Sequence, residues 1–188
     1  MEMMKRVLIF SYILVAISPL PAKSAYFSES KAYVPVLVNT RLRFFLHDTL
    51  SGTNPSAVRI AGPNATEYNP IPFGALLAID DPLTEGPETT SGVIGNAQGL
   101  YLSSSQSGQD VSLVLYADFG FTSGRFKGSS FSVFSRNPVM ESRRELAVVG
   151  GRGLFRMATG TADVTSYSMD VATGDAVLEY NVHIVHPL

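Results

Sequence analysis

The side chains best able to do chemistry in this sequence stand at or near the ends of predicted strands. They are Asp48, Asp80, Asp81, Tyr101, Asn137 and Arg144. A carboxyl group can transfer protons, and a tyrosine places an apolar ring beside a polar hydroxyl. A barrel with an inward carboxylate and an arginine near it would bind a polar aromatic ligand.

Each of these residues also has a purely structural interpretation. Asp80–Asp81–Pro82 suits a turn, because Asp bonds its own backbone and Pro fixes φ, and the turn is the preferred interpretation. Arg144 precedes Glu145 and would form a surface ion pair of small energetic value. Tyr101 would be a core ring whose hydroxyl reaches a wet end of the fold.

Metal and nucleophile chemistry have little support in the sequence. His183 and His186 are three residues apart on a predicted strand, so they face opposite sides and cannot share one metal ion. His47 points away from Asp48 for the same reason. The chain contains no cysteine and no G-x-S-x-G motif. We therefore predict no metal site and no cofactor.

Strand alternation predicts which way these residues face. In Arg41–Asp48 one face carries Leu42, Phe44, Leu46 and Asp48, so an apolar interior turns Asp48 inward. A buried carboxylate is unfavourable unless it is paired or solvated. Val111–Phe119 and Asp175–His186 alternate in the same way.

Short strands recur every ten to fifteen residues or so, without a convincing helix. Besides the three above, they are predicted at Ala57–Ala61, Phe73–Asp80, Asn96–Ser103 and Phe126–Arg136. Eight or nine strands in all predict an all-β fold, an antiparallel barrel or sandwich. A barrel leaves no open sheet edge and needs no disulfides.

The stretch Arg144–Gly160 organises the second half of the chain. An apolar run, Leu146–Val149, ends in Gly150, Gly151 and Gly153, and a second alternating run, Phe155–Thr161, follows. Two strands around a glycine cluster predict a hairpin. A phosphate-binding loop is the alternative, but it would have to open a helix, and the residues that follow have period two.

The N-terminus has the three parts of a secretory signal. Lys5 and Arg6 precede an apolar core, Val7–Ile17, and small residues follow two prolines. We predict a signal peptide over residues 1–24 and one secreted domain over residues 25–188, a retained N-terminal anchor being the alternative. No second long apolar run exists, so the mature chain is predicted to be soluble.

Charge and local motifs add two expectations. Charged residues make up 16% of the chain and its net charge is −2, so no basic face is predicted for nucleic acid. Asn64-Ala65-Thr66 lies in a polar loop and forms an N-glycosylation acceptor. In a secreted protein we expect Asn64 to carry a glycan.

Six ordered blocks give the chain a family resemblance. They are FFLHDTLSG (44–52), AIDDPLT (78–84), GNAQGLY (95–101), SGRFKGSSFSVFSRN (123–137), RRELAVVGGRGLFRMATG (143–160) and DAVLEYNVHIVH (175–186). In this order they cover nearly the whole mature chain, which resembles the plant dirigent family. The resemblance implies an eight-stranded antiparallel barrel, a homotrimer, secretion to the apoplast and a ligand cavity at the barrel mouth.

The resemblance also assigns roles to particular residues. Asp48 matches the family's cavity aspartate and Arg144 its cavity arginine, which makes them the candidate catalytic residues. Tyr101, Ser103 and Asn137 fall at substrate-binding positions. Members that make pinoresinol carry a tyrosine in place of Ser103 and an aspartate in place of Asn137. The pattern is closer to the dirigent-like branch.

Three functions follow from the resemblance. The first is stereoselective coupling of phenoxy radicals from monolignols such as coniferyl alcohol, in lignan biosynthesis, with a separate laccase or peroxidase as the radical source. The alternative is a dehydratase like pterocarpan synthase, which acts on an isoflavanol through a quinone methide. Asp48 would then be a general acid or base, and Arg144 would stabilise the developing oxygen charge. A wall-binding trimer without chemistry is the third.

Overall fold

The computed structural model describes residues 30–31, 34–66, 69–107 and 110–188. The predicted signal peptide lies outside these residues. One compact unit spans Pro35–Leu188. In the described part of the chain, no helix is long and apolar enough to cross a membrane.

Nine strands and one short 3-10 helix make up the secondary structure of the described residues. The strands are β1 (Leu37–Asp48), β2 (Ala57–Ala61), β3 (Leu76–Thr84), β4 (Val93–Ser103), β5 (Ser112–Phe121), β6 (Ser130–Pro138), β7 (Arg144–Arg152), β8 (Thr159–Met169) and β9 (Ala176–Pro187). The helix, Gly153–Phe155, follows β7. Antiparallel pairing joins every neighbouring pair.

Eight of the strands close into a barrel in the order β1-β9-β8-β7-β6-β5-β4-β3. The closing contact is short, with Phe45 opposite Thr84 and Leu46 opposite Leu83. The strand β2 pairs with the first half of β3, from Leu76 to Ile79, and is not one of the eight strands of the closed ring. The predicted all-β, eight-stranded antiparallel barrel is confirmed.

One end of the barrel is filled with aromatic rings. Phe119 and Phe131 stack in parallel at 4.8 Å between ring centroids, and both are fully buried. Phe44 stacks on Tyr180 at 5.5 Å, nearer the middle. Phe155, which is also fully buried, closes this end of the barrel and packs against the His186 ring. This end is a packed core of the kind that holds a disulfide-free barrel together.

The glycine-rich stretch forms the predicted hairpin, but its second strand begins later than predicted. β7 continues through Gly150 and Gly151, and the residues from Phe155 to Ala158 are not strand. A Cβ on Gly151 would lie 2.6 Å from the backbone oxygen of Phe155. The glycine therefore lets Phe155 approach and fill the barrel bottom. β8 begins at Thr159 and pairs with β7.

The predicted turn at Asp80–Asp81–Pro82 is wrong, because β3 runs straight through it. The Asp80 amide donates to the Ser56 carbonyl, so the ring nitrogen of Pro82 faces the same side. There β3 pairs with β2 only as far as Ile79 and with β1 only from Leu83. Proline is tolerated here because this gap needs no ladder donor.

Two other strands begin later than the sequence predicts. β3 starts at Leu76 instead of Phe73, and β6 starts at Ser130 instead of Phe126. In each case a glycine two residues before the strand has a positive φ, +83° at Gly74 and +81° at Gly128. A positive φ belongs to a turn, so extended pairing begins only after it.

Candidate functional site

The other end of the barrel holds a cavity of about 200 Å³, and Phe119 of the aromatic cluster is among the residues that line it. Its walls are mainly apolar and include Leu46, Ile79, Leu113, Leu115, Val139 and Leu178. The chemically capable side chains that the strands contribute to its lining are Asp48, Asp81, Tyr101, Asn137, Arg144 and Tyr180. Each lies on a strand near this end, so the barrel brings residues far apart in sequence to one chamber.

Most of the sequence-predicted site residues meet in this cavity. Asp48, Tyr101, Asn137 and Arg144 all line it. Ser103 is buried at the end of β4 but does not line the cavity. Asn64, the predicted glycosylation site, is exposed in the loop after β2. The roles assigned to these residues remain predictions.

Two carboxyl groups lie on the neighbouring strands β1 and β3. Asp81 is 1% exposed, and its Oδ1 accepts a hydrogen bond of 2.6 Å from the Ser56 hydroxyl. Asp48 Oδ1 is buried without a hydrogen-bond partner in the described part of the chain. Burial raises the pKa of Asp48 to about 7, and burial together with the charge of Asp48 raises the pKa of Asp81 to about 8.

These two carboxyls interact strongly enough to titrate as a pair. Near neutral pH the pair therefore retains protons that an exposed aspartate would have lost. A protonated carboxyl can donate to a leaving group, and its conjugate base can accept a proton afterwards. The chemistry available on this side of the cavity is proton transfer.

Tyr101 lies beside the carboxyls on β4. Its hydroxyl is buried and makes no hydrogen bond of normal geometry with the described residues. Burial, followed by the charges of Asp48 and Asp81, raises the pKa of Tyr101, so the phenol stays neutral. The hydroxyl in turn holds the pKa of Asp48 below the value that burial alone would give. The Tyr101 hydroxyl therefore lies close enough to the Asp48 carboxyl to favour its charged form.

Arg144 begins β7 on the other side of the cavity and is 1% exposed. Its Nη1 donates to Asn137 Oδ1 at 3.3 Å, and its Nη2 donates to Ser166 Oγ at 3.0 Å. Its Nε is buried without a partner among the described residues. Burial lowers the pKa of Arg144. The surface ion pair with Glu145 does not form, because Glu145 points outward.

A polar rim surrounds the mouth of the cavity. The Asp175 carboxylate accepts from the backbone amides of Leu50 at 2.7 Å and Ser51 at 3.0 Å, and from the Ser51 hydroxyl. It thereby ties the β8–β9 turn to the segment after β1. Asp170 and Val171 of that turn line the cavity, so this tie shapes its entrance.

The histidines take no part in the cavity. His183 is exposed and His186 is buried, so the two face opposite sides as predicted. His47 Nε2 lies 2.8 Å from Thr84 Oγ1, and His186 Nε2 lies 2.9 Å from Thr40 Oγ1. No group of three or more His, Cys, Asp or Glu in the described ranges is arranged to hold a metal ion.

Sequence reasoning missed two contributors to the site. Asp81 was assigned to a turn, although Leu77, Ile79, Asp81 and Leu83 alternate as an inward face and could have revealed it. Nothing in the sequence around Ser166 indicates a role in the site. Its hydroxyl meets Arg144 only because β8 lies next to β7. The pairing of the two strands decides that contact.

The fold and site define a small antiparallel barrel that holds a ligand cavity with acid groups and an arginine. Residues 39–185 match the family model described as Dirigent-like protein. The chain belongs to the dirigent family, as the resemblance implied.

Two kinds of relative are similar to this chain. Dirigent protein 15 of Arabidopsis thaliana is 47% identical over 192 residues, which cover 98% of this chain and all of that protein. Pterocarpan synthase 1 of Glycine max is 47% identical over 148 residues, 78% of each chain. The solved structure of the pterocarpan synthase dirigent protein GePTS1 is 42% identical with a TM-score of 0.80, covering 87% of this chain and 100% of that one.

Proposed function

We propose that this protein removes water from a phenolic benzylic alcohol and closes a ring on the resulting quinone methide. One observation carries the proposal: two buried carboxyls with raised pKa values, Asp48 and Asp81, share an apolar cavity with the buried guanidinium of Arg144. This arrangement suits a reaction that moves protons at one end of a ligand while charge develops on an oxygen at the other.

The first half-reaction forms the quinone methide. The Asp48 carboxyl donates its proton to the benzylic hydroxyl, the carbon–oxygen bond breaks, and water leaves. The phenol in conjugation with that carbon gives its proton to solvent through the cavity mouth, and its oxygen becomes the quinone methide carbonyl beside Arg144. Guanidinium N–H groups directed at this oxygen stabilise the charge that it carries in the transition state.

The second half-reaction restores the aromatic ring. A second hydroxyl of the same ligand adds to the benzylic carbon, and its proton passes to the Asp48 carboxylate. The quinone methide oxygen takes a proton from solvent, which replaces the one released in the first half-reaction. The net change is the loss of one water molecule. No electrons leave the ligand, so the reaction requires no oxidant.

The size of the cavity and the relatives both support a single-ligand reaction. The cavity, at about 200 Å³, is smaller than the roughly 300–1,000 Å³ of typical small-molecule sites, which favours one phenolic ligand over two held together. The relatives include pterocarpan synthases from Glycine max and Glycyrrhiza echinata, 47% and 45% identical to this chain. An isoflavanol is therefore the first substrate to test.

Stereoselective coupling of phenoxy radicals is the second candidate. Its support is the similarity to Dirigent protein 15, which extends over 98% of this chain. In this role an external laccase or peroxidase makes the radical from a monolignol. Asp48 and Tyr101 would hold ligand hydroxyls, and the protein would contribute only orientation.

Two assays separate these functions. The first incubates a 2′-hydroxyisoflavanol with the protein and no oxidant, and follows ring closure by chromatography. The second supplies coniferyl alcohol and a laccase, and measures the enantiomeric excess of the coupled products. Ring closure without oxidant supports the dehydratase. Enantiomeric excess with an inert isoflavanol would replace the dehydratase with radical coupling.

The role of Asp48 is tested by Asp48→Asn, which keeps the shape of the side chain but removes the proton. We expect the rate of ring closure to fall roughly 10²- to 10⁴-fold, the usual contribution of a general acid. Asp163→Asn is the matched control, because Asp163 lies on the outer face of β8 in a surface ion pair with Arg143. An unchanged rate in folded Asp48→Asn would remove Asp48 from the mechanism.

We also propose that the protein is a secreted, N-glycosylated homotrimer of the apoplast. The predicted signal sequence and the exposed position of Asn64 support secretion and glycosylation, and the resemblance to the dirigent family supports the trimer. The mass of the protein secreted from plant cells, before and after glycosidase treatment, tests both the cleavage and the glycan. Sedimentation equilibrium tests the trimer.

A further inference from the structure

We infer that the cavity binds its ligand through an oxyanion, a carboxylate or a phenolate, which pairs with the Arg144 guanidinium. The inference concerns the cavity of the proposed function and names the charge of the group that its ligand presents there. It can hold or fail whether or not ring closure occurs, since it is tested by binding.

The first step is the hydrogen bonding of Arg144. A guanidinium has five N–H donors. Those of Arg144 make two hydrogen bonds with the described residues, to an amide oxygen of Asn137 and a hydroxyl of Ser166. The Nε group is buried without a partner. Both acceptors are neutral, so neither compensates the charge.

The second step is the absence of a counter-ion from the protein. No ion pair among the described residues involves Arg144. Three carboxyls line the cavity. Asp48 and Asp81 lie on β1 and β3, and in the ring of eight strands β3 is four positions from β7 in either direction. Asp170 is exposed in the β8–β9 turn, where it accepts from the Ala172 amide and forms no ion pair with Arg144. The raised pKa values of Asp48 and Asp81 also keep at least one of the two carboxyls protonated near pH 7.

The other groups near Arg144 do not neutralise it. Glu145 points to the outer face of β7, and Arg143 pairs with Asp163 outside the barrel. Tyr180 approaches from β9 with a raised pKa, caused mainly by burial, and remains a neutral phenol. The Arg144 side of the cavity therefore carries a net positive charge in the absence of ligand.

A buried cation without a counter-ion is unfavourable by several kcal/mol or so, and a bound anion relieves that cost. The planar guanidinium matches the two oxygens of a carboxylate and also binds a single phenolate oxygen. The neighbouring walls, including Val139 and Tyr180, are apolar or aromatic. The ligand is therefore a flat aromatic molecule with one anionic oxygen group.

The first test compares ferulate with coniferyl alcohol by isothermal titration calorimetry at pH 7. The two molecules share the same ring and differ at the end group, carboxylate against alcohol. A charge-assisted hydrogen bond is worth about 1.5–3 kcal/mol, so we expect ferulate to bind roughly ten- to a hundredfold tighter if the oxyanion is a carboxylate.

The second test uses 4-nitrophenol, whose phenolate absorbs visible light and whose neutral form does not. If the oxyanion is a phenolate, the bound dye ionises at a pH at least one unit lower than the free dye. The two probes separate the two sources of the same charge. Equal binding of ferulate and coniferyl alcohol, together with an unshifted dye, would overturn the inference.

Asn137→Asp supplies the matched variant, because it places a carboxylate of the same shape 3.3 Å from Arg144 Nη1. We expect it to remove the anion preference and to raise the melting temperature. Glu145→Gln alters charge on the outer face of the same strand and should change neither. An anion preference that persists in folded Asn137→Asp would contradict the role of Arg144.

Discussion

The two ends of this barrel are built from the same eight strands but for opposite purposes. At the closed end Phe119, Phe131 and Phe155 fill the interior completely, and each is fully buried. At the open end the same inward positions carry Asp48 and Arg144, whose buried Oδ1 and Nε atoms have no partners in the described part of the chain. The closed end maximises packing, and the open end retains unsatisfied polar groups.

This difference shows how a small disulfide-free barrel can carry an unfavourable site. Full burial of each phenylalanine contributes about 1.5–3 kcal/mol, whereas a buried carboxyl or guanidinium without partners lowers stability. The packed end can therefore tolerate the losses at the open end. The buried Asp48 and Arg144 side chains are therefore better explained by a role in function than by a contribution to stability.

The largest effect on stability is expected from removing a buried ring at the closed end. Phe131→Ala removes a ring stacked on Phe119 and should lower the free energy of unfolding by about 3–5 kcal/mol, measured by urea denaturation. Ligand affinity in the remaining folded protein should not change. Phe134→Ala is the control, because Phe134 lies on the same strand, three residues after Phe131, and is 56% exposed. A similar loss in both variants would contradict the packed-end interpretation.

The next effect is a pH dependence that originates at the open end. Since the pKa of Asp48 rises from 3.8 to about 7 on folding, the unfolded chain loses its proton first as the pH increases. Stability should therefore fall from about pH 4, and it should level off only above about pH 8, because the pKa of Asp81 is also raised, to about 8.

Asp48→Asn cannot ionise and should lose that part of the pH dependence. We expect the free energy of unfolding of the variant to exceed that of the natural protein by about 1–3 kcal/mol at pH 8. At pH 4 the two values should be almost the same. Denaturation curves at the two pH values measure this. Equal differences at both would mean that burial does not raise the pKa of Asp48.

A smaller gain is expected from removing the buried cation. Arg144→Met replaces the guanidinium with an apolar chain and should stabilise the protein by about 1–2 kcal/mol, even though Asn137 and Ser166 lose a donor. The same variant should lose ligand binding. Arg143→Met, on the outer face, should change neither property much. Destabilisation by Arg144→Met would mean that the arginine supports the fold.

The smallest effect is expected outside the barrel. Glu179→Gln breaks the 2.7 Å surface pair with Arg43 and should cost less than about 1 kcal/mol, with a difference that shrinks in high salt. The Arg43 guanidinium lowers the pKa of Glu179, so the difference should also shrink below about pH 4. A salt-independent loss would indicate a packing role instead.

Much of the fold could be predicted from the sequence because a half-buried strand has period two. In β1 and β9 the alternation correctly predicts the inward face, Phe44 and Leu46 on one and Tyr180 and Val182 on the other. The same parity correctly turns Asp48 into the cavity. The prediction failed at Pro82, since a proline reads as a turn unless the gap between β1 and β2 is known.

Much less of the site could be predicted, because it depends on which strands become neighbours. The sequence offered Asp48, Tyr101, Asn137 and Arg144 as separate residues at strand ends, and Ser103 was offered equally but lies outside the cavity. Nothing local in the chain indicates that Ser166 and Asn137 supply the partners of Arg144. Those contacts depend on how β7 pairs with its neighbours β6 and β8.

The sequence by itself determined the all-β class, the strand count and the inward face of most strands, because these depend on the order of apolar and polar residues along the chain. Only the tertiary structure decided that Asp48 and Asp81 share one wall and that Arg144 is buried without a counter-ion. The physical reason is that desolvation and charge pairing depend on neighbours in space, and closure of the barrel selects those neighbours.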